Sequence, residues 1–274
     1  MITSPGQNGS VIQPIRAIHS SKAIIQSSIR IFANLMNQTT SHNREFSLVL
    51  PCYNPPRDWE KIVVSSVKSI IDKTGVTPQL IIVNDGSLKN VELEKIEFIR
   101  SALKNFEWIS YDQNRGKGFA LRQGVSKASH DLIIYTDIDF PYLEESFLNL
   151  YKILQQGFDV VPGHRGKDYY SKTPFLRKII SKFLRWTLKT FLRLPTDDSQ
   201  CGIKGFNKKG AVVFLDTRID RFLFDLEFIK LTSKRKLKVQ IAEVDLKPNV
   251  VFSKVNFRIL FRESLNFLKV LFRK

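Results

Sequence analysis

Two aspartates, Asp137 and Asp139, stand one residue apart directly after the apolar run Leu132-Ile133-Ile134-Tyr135. Such a run reads as a buried strand of a parallel sheet. Carboxylates are hard oxygen ligands, and residues i and i+2 of an extended chain share a face. The pair can therefore hold one divalent cation, and a cation there can bridge a diphosphate. The same spacing also suits a solvated Asp-x-Asp at a strand end. Three further groups point the same way. Pro51-Cys52-Tyr53-Asn54 and Val83-Asn84-Asp85-Gly86-Ser87 each close an apolar run, where open α/β sheets bind ligands. Asp85 can accept hydrogen bonds from a base or ribose, Tyr53 can stack on a base, and Gly86 lets the chain turn away. A plain turn is the other reading of Asp85-Gly86-Ser87. Asn114-Arg115-Gly116-Lys117-Gly118 combines glycines that permit close approach to phosphate with a lysine where a helix opens. It lacks the spacing of a P-loop, and it also fits a basic loop with a capping glycine.

The elements that must position these groups follow from periodicity. Strands are predicted over 46–50, 79–84, 107–111, 131–136 and 158–161, and helices over 58–73, 90–105, 117–127 and 143–155. The alternation predicts an α/β fold with a mostly parallel, Rossmann-like sheet and right-handed crossovers. Ahead of it, residues 1–45 read as an extension: an irregular start, a short amphipathic helix over 22–36 and a polar linker. The catalytic domain is expected over 46–254, followed by a separate helix over 255–274.

The chain has 274 residues, 43% of them hydrophobic, enough for one large domain. Two cysteines, Cys52 and Cys201, make no disulfide framework and suit a reducing compartment. His42, His130 and His164 show no metal-type spacing. No run is long and apolar enough for a transmembrane helix, and no signal peptide is evident, so the cytoplasmic side is expected. The net charge of +17 is one-sided: residues 1–164 carry +1 and residues 165–274 carry +16. That field calls for an anionic partner, whether nucleic acid, an anionic lipid surface or a phosphorylated substrate. In 175–194, Leu176, Ile180, Leu184, Leu188 and Phe191 form an apolar stripe beside Lys178, Lys182, Arg185, Lys189 and Arg193. In 255–274, Phe257, Phe261, Leu268 and Phe272 oppose Arg258, Arg262, Lys269 and Arg273. Basic amphipathic helices of this kind lie in a membrane interface. Core helices with a charged outer face are the alternative.

In order and spacing, these motifs resemble the inverting family-2 glycosyltransferases of the GT-A fold. Within that family they resemble the branch that makes dolichyl- or polyprenyl-phosphate sugars. The likeness runs over residues 46–270. It continues through Gly163-His164-Arg165, Asp198-Ser199-Gln200-Cys201-Gly202-Ile203-Lys204-Gly205-Phe206 and Phe224-Asp225-Leu226-Glu227. The last two blocks are similar to the dolichyl-phosphate glucosyltransferase side. The resemblance implies that Pro51, Tyr53 and Asp85 bind the nucleoside and that Lys117 lies near the nucleotide. It implies that Asp137 and Asp139 hold Mg2+ or Mn2+, that Arg165 faces the acceptor phosphate, and that Gln200 and Lys204 lie near the donor sugar and phosphates. Asp225 and Glu227 would line the acceptor side, and 175–194 would be the interfacial helix. Three departures stand out. Pro55-Pro56 replaces an acidic residue after Tyr53-Asn54, Pro141 replaces the glutamine of mannosyl-type members, and a transmembrane anchor is missing. Attachment would then run through interfacial helices or a membrane-protein partner.

The chemistry implied is transfer of a hexose from a nucleotide diphosphate sugar to polyprenyl or dolichyl phosphate. The leaving group needs a Lewis acid, with added charge from Lys117 and Lys204. A lipid phosphate, with a second pKa of about 6, is already anionic and needs positioning more than a base. The arginine fork suits that task. A glycan hydroxyl acceptor would need a base, and Asp225 is the candidate. Equally, Asp225 and Glu227 can serve only as favourable charges at a helix N-terminus. A non-catalytic basic protein binding membrane or nucleic acid is the remaining class. The aromatic residues lie on apolar faces rather than as stacking platforms, which speaks against nucleic acid.

Overall fold

The computed structural model describes residues 1, 44–166, 194–196, 198–248, 266–267 and 270. A compact unit begins at Asn43, and every element below lies in it. The strands are β1 (Phe46–Cys52), β2 (Gln79–Asp85), β3 (Phe106–Tyr111), β4 (Leu132–Tyr135), β5 (Val160–Arg165), β6 (Lys204–Asn207) and β7 (Ala242–Val244). The helices are α1 (Trp59–Thr74), α2 (Leu93–Ala102), α3 (Lys117–Lys127), α4 (Glu144–Gln155), α5 (Lys208–Leu215) and α6 (Phe224–Lys234).

The strands form one sheet in the order β3-β2-β1-β4-β6-β5-β7. β1 to β4 pair in parallel, β6 runs antiparallel to both neighbours, and β7 is parallel to β5. Side chains alternate between two buried faces. Leu48, Leu50, Leu80, Ile82, Leu132 and Ile134 join the core beneath α1, α2 and α4. Val49, Ile81, Val83, Ile133 and Tyr135 join the core beneath α3, α5 and α6. Helices on both faces explain why these strands read as continuous apolar runs, each buried branched side chain contributing about 1.5–3 kcal/mol.

The expected helix 90–105 is shorter, Leu93–Ala102. Asn90 is left-handed at φ 61°. Its side chain donates to the Pro55 carbonyl at 2.7 Å while its own carbonyl accepts Trp59 Nε1 at 2.6 Å. Those bonds hold the segment in a loop against the end of β1. The strand expected over 158–161 runs instead from Val160 to Arg165, so Arg165 ends a strand. Residues 204–244, where only a helix start at Asp225 was considered, form β6, α5, α6 and β7. The expected helix 22–36 lies outside the described residues, as do 175–193 of the expected helix 175–194, whose Leu194 is not helical, and most of 255–274. Of that last segment Asn266, Phe267 and Val270 are helical, and Val270 is buried in the α3–α5–α6 core.

The topology sets the site. β1 leads on one side to β2 and β3 and on the other to β4, which makes a switch point between β1 and β4. The Val49 carbonyl accepts the Thr136 amide at 3.3 Å. Pro51, two residues on, faces the same way, beyond the last rung at Val49–Tyr135. Its missing N–H therefore removes no ladder bond. Lys204 lies opposite both Tyr135 and Pro162, so the loop entering β6 meets the carboxyl ends of β4 and β5.

Candidate active site

Past Tyr135 the chain leaves the strand. The Phe140 amide donates to the Asp137 carbonyl at 3.0 Å, and Phe140 sits at φ 45°. Asp137 and Asp139 are thus carried on a turn, not on an extended chain, which corrects the reason for expecting them together. A left-handed phenylalanine is a strained backbone of the kind that persists at functional sites. Lys117, the first residue of α3, places its ammonium on Asp137 Oδ1. Burial disfavours the Lys117 ammonium, but the Asp137, Asp225 and Asp139 carboxylates outweigh it and hold its pKa above the ordinary value. Asp139 is pushed the other way: burial, then the Asp137 charge, raises its carboxyl above the usual range.

Gly202 seals this pair from the β6 side. A Cβ on Gly202 would lie 2.5 Å from Asp137 Oδ2, and its amide donates to Tyr142 Oη at 2.8 Å. Gly202→Ala is expected to push the Asp137 carboxylate off its position while the fold persists. If the pair holds a divalent cation, Mn2+ affinity should fall on the order of tenfold, read by titration calorimetry beside an unchanged far-UV spectrum.

Beneath the loop lies a buried polar triad. Lys204 is fully buried and donates to Asp225 Oδ1 and to the Cys201 carbonyl, both at 2.7 Å. Tyr135, buried on β4, donates its hydroxyl to the same Asp225 oxygen. Lys204, expected near the donor phosphates, has its ammonium enclosed and balanced by Asp225. Asp225, at the start of α6, is likewise no exposed base.

Arg165 is also engaged. Its Nε and backbone amide donate to Asp198 Oδ2 at 2.8 and 2.9 Å, and Nη2 donates to Oδ1 at 2.6 Å. The fork expected on an acceptor phosphate is closed on Asp198. Burial alone would raise the Asp198 carboxyl, but the Arg165 bonds and charge override it and lower its pKa below 3.8. A depressed carboxylate stabilises the fold above its unfolded value and loses that contribution as pH falls through the folded value. Asp198→Asn should cost about 3 kcal/mol at neutral pH. It should also flatten the fall in melting temperature below pH 3.8, as read by thermal melts across an acid series.

Asp85 is saturated. Tyr111 Oη, Asn114 Nδ2 and the Arg115 and Gly116 amides all donate to its carboxylate at 2.8 Å. Two donors on each oxygen fill its acceptor sites, so Asp85, expected at a base or ribose, shapes the 114–116 loop. Gly86, at φ 67°, leaves room that a Cβ would take from the Asn114 amide, 2.6 Å away. The glycines of 116–118 also differ from expectation. The Gly118 and Phe119 amides donate to the Asp220 carbonyl at 2.7 and 3.1 Å, so the start of α3 is capped by the chain and not open to phosphate. Glu227 accepts the Arg218 and Ile219 amides at 2.8 and 2.9 Å, and it holds a loop where an acceptor contact was expected. Tyr53 is 52% exposed beside the β2 loop, where Asn54 N donates to Ser87 Oγ and Leu88 N to Asn54 Oδ1, both at 2.9 Å. Pro51 and Gln200 are half-buried at the same edge.

Asp137 and Asp139 fit a divalent cation. They offer oxygen donors alone, two carboxylates beside the single Lys117 ammonium. Among the described residues no group of three or more His, Cys, Asp or Glu side chains could hold a metal. Mg2+ or Mn2+ here would draw its other ligands from phosphate and water, as such ions do with one or two carboxylates.

Residues 47–223 match the sequence profile of glycosyl transferase family 2. The chain belongs to that family. The glycosyltransferase is similar to the dolichyl-phosphate beta-glucosyltransferase of Dictyostelium discoideum, 27% identical over 225 residues, 76% of this chain and 67% of the relative. The enzyme of that name from Saccharomyces cerevisiae is 24% identical over 231 residues, 77% of this chain and 69% of the relative. Among solved structures, mannosyl-3-phosphoglycerate synthase from Rubrobacter xylanophilus superposes with TM-score 0.61 at 14% identity, over 83% of this chain and 72% of that one. Glucosyl-3-phosphoglycerate synthase from Mycobacterium tuberculosis, in complex with Mn2+, UDP and phosphoglyceric acid, gives 0.56 at 16% identity, over 83% and 77%. The fold is GT-A, as the sequence led us to expect. Sequence reasoning missed Tyr135, Tyr142 and Asp220 as parts of the glycosyltransferase's site architecture. Each acts through a tertiary contact that leaves no local pattern.

Proposed function

We propose that this glycosyltransferase transfers glucose from UDP-glucose to dolichyl or polyprenyl phosphate, with inversion, using Mg2+ or Mn2+. The observation that carries the reading is the likeness to dolichyl-phosphate beta-glucosyltransferases across about three-quarters of the chain, with Lys117, Asp137 and Asp139 gathered at the switch point. The acceptor phosphate oxygen attacks the anomeric carbon as the bond from that carbon to the nucleotide diphosphate breaks. When bound, the divalent ion supplies Lewis-acid stabilisation of the departing diphosphate. Lys117 stays protonated and adds charge on the same side, while Tyr53 and Pro51 border the nucleoside. Enclosure of Asp225 by Lys204 and Tyr135 favours a phosphate acceptor, which needs no base, over a glycan hydroxyl, which does.

Membrane attachment is part of the proposal. No helix of the described residues is long and apolar enough to cross a membrane. The net +16 of residues 165–274 supports peripheral binding to an anionic cytoplasmic surface, directly or through a membrane-protein partner. The test is incubation with Mn2+, dolichyl phosphate in phospholipid vesicles, and either UDP-glucose or GDP-mannose. Lipid-linked glucose is the expected product. Product from GDP-mannose alone would reject the glucosyl reading.

A further inference from the structure

The α5–α6 segment, residues 216–223, holds none of the groups used by the proposed chemistry. It is nonetheless fastened to the first turn of α3 from three sides. Glu227, buried on α6, fixes the Arg218 and Ile219 amides. The Asp220 carbonyl takes the Gly118 and Phe119 amides. Arg122, on α3 itself, donates Nη1 to the Ile219 carbonyl at 3.0 Å and to Thr217 Oγ1 at 3.3 Å, and Nη2 to the Asp220 carboxylate. Cβ atoms on Gly116 and Gly118 would stand 2.5 Å from the Asp220 and Ile219 carbonyls, so only glycines admit this approach.

Gly116 is the N-cap of α3 and offers no side chain to cap it. The first turn is therefore held from outside, and Lys117 is its first residue. A lysine ammonium rides on four rotatable bonds, so its position depends on a fixed backbone origin. We propose that the clamp of Arg122, Asp220 and Glu227 positions the Lys117 ammonium for the donor diphosphate, with Arg122 and Glu227 as positioning residues. This rests on the reading that a nucleotide diphosphate binds beside Asp137 and Asp139.

The test is calorimetric titration with UDP in the presence of Mn2+. It compares wild type, Arg122→Met, Lys117→Met, their double variant, Glu227→Ala and Glu227→Gln. Arg122→Met should weaken UDP binding on the order of tenfold. The double variant should bind no more weakly than Lys117→Met, because both changes remove one interaction. Glu227→Gln keeps an acceptor oxygen for both amides and should bind as wild type, whereas Glu227→Ala should resemble Arg122→Met. Should Glu227→Ala fail to fold, the Arg122 cycle and the glutamine variant still decide. Wild-type affinity in Arg122→Met, or additive losses in the double variant, would overturn the inference. Failure of the wild type itself to bind UDP would reject the donor reading and take this inference with it.

Discussion

Lys204→Met is expected to lower stability by about 3–5 kcal/mol, because it leaves the Asp225 carboxylate buried and unpaired. For a domain of this size that is a melting temperature lower by roughly 6–20 °C. The reasoning is geometric. Lys204 is fully buried, and its ammonium bonds only inward, to Asp225 and the Cys201 carbonyl. Tyr135 completes the set from β4. Asp225→Leu should be nearly as damaging, since it strands the ammonium instead. Replacing both, as Lys204→Met with Asp225→Leu, removes the two charges together and should recover much of the loss. Thermal melts of the four proteins measure the coupling. Additive single effects would mean the two groups do not form one unit.

Asp139→Ala should behave in the opposite way. Transfer is expected to fall about a thousandfold, equivalent to roughly 4 kcal/mol of lost transition-state stabilisation. Stability should not fall. Partial desolvation and the Asp137 charge raise the Asp139 pKa above its unfolded value, an effect that solvent weakens because the side chain is exposed. At neutral pH the ionised carboxylate therefore opposes folding. Its removal should leave the melting temperature unchanged or higher. Steady-state transfer assays beside thermal melts check both halves. An inactive variant that is also markedly less stable would mean Asp139 holds the turn and not a ligand.

These two residues show what the sequence made legible and what it did not. The strand-end position of Asp137 and Asp139 could be read because an apolar run ends directly before them, and the parallel core could be read from continuous apolar strands. The turn that carries the pair could not, because Phe140 in a left-handed conformation has no local signal. β6 escaped because its sequence, Lys-Gly-Phe-Asn, breaks the apolar run with a lysine whose partner is 21 positions away on α6. Asp85, Arg165 and Lys204 each stand at a strand end. Their charges, however, are satisfied by Asn114, Asp198 and Asp225, and such pairings depend on the tertiary fold. The loop glycines misled for a related reason: glycine permits close approach, but the approaching group is the 216–223 segment and not phosphate.

The most direct test of the central claim is glucose transfer from UDP-glucose, with Mn2+, into vesicles carrying either dolichyl phosphate or unphosphorylated dolichol. The account predicts lipid-linked glucose only where the acceptor bears phosphate, since Asp225, the candidate base for a hydroxyl acceptor, is enclosed by Lys204 and Tyr135. Equal transfer to dolichol, or transfer to a soluble glycan with none to dolichyl phosphate, would contradict it.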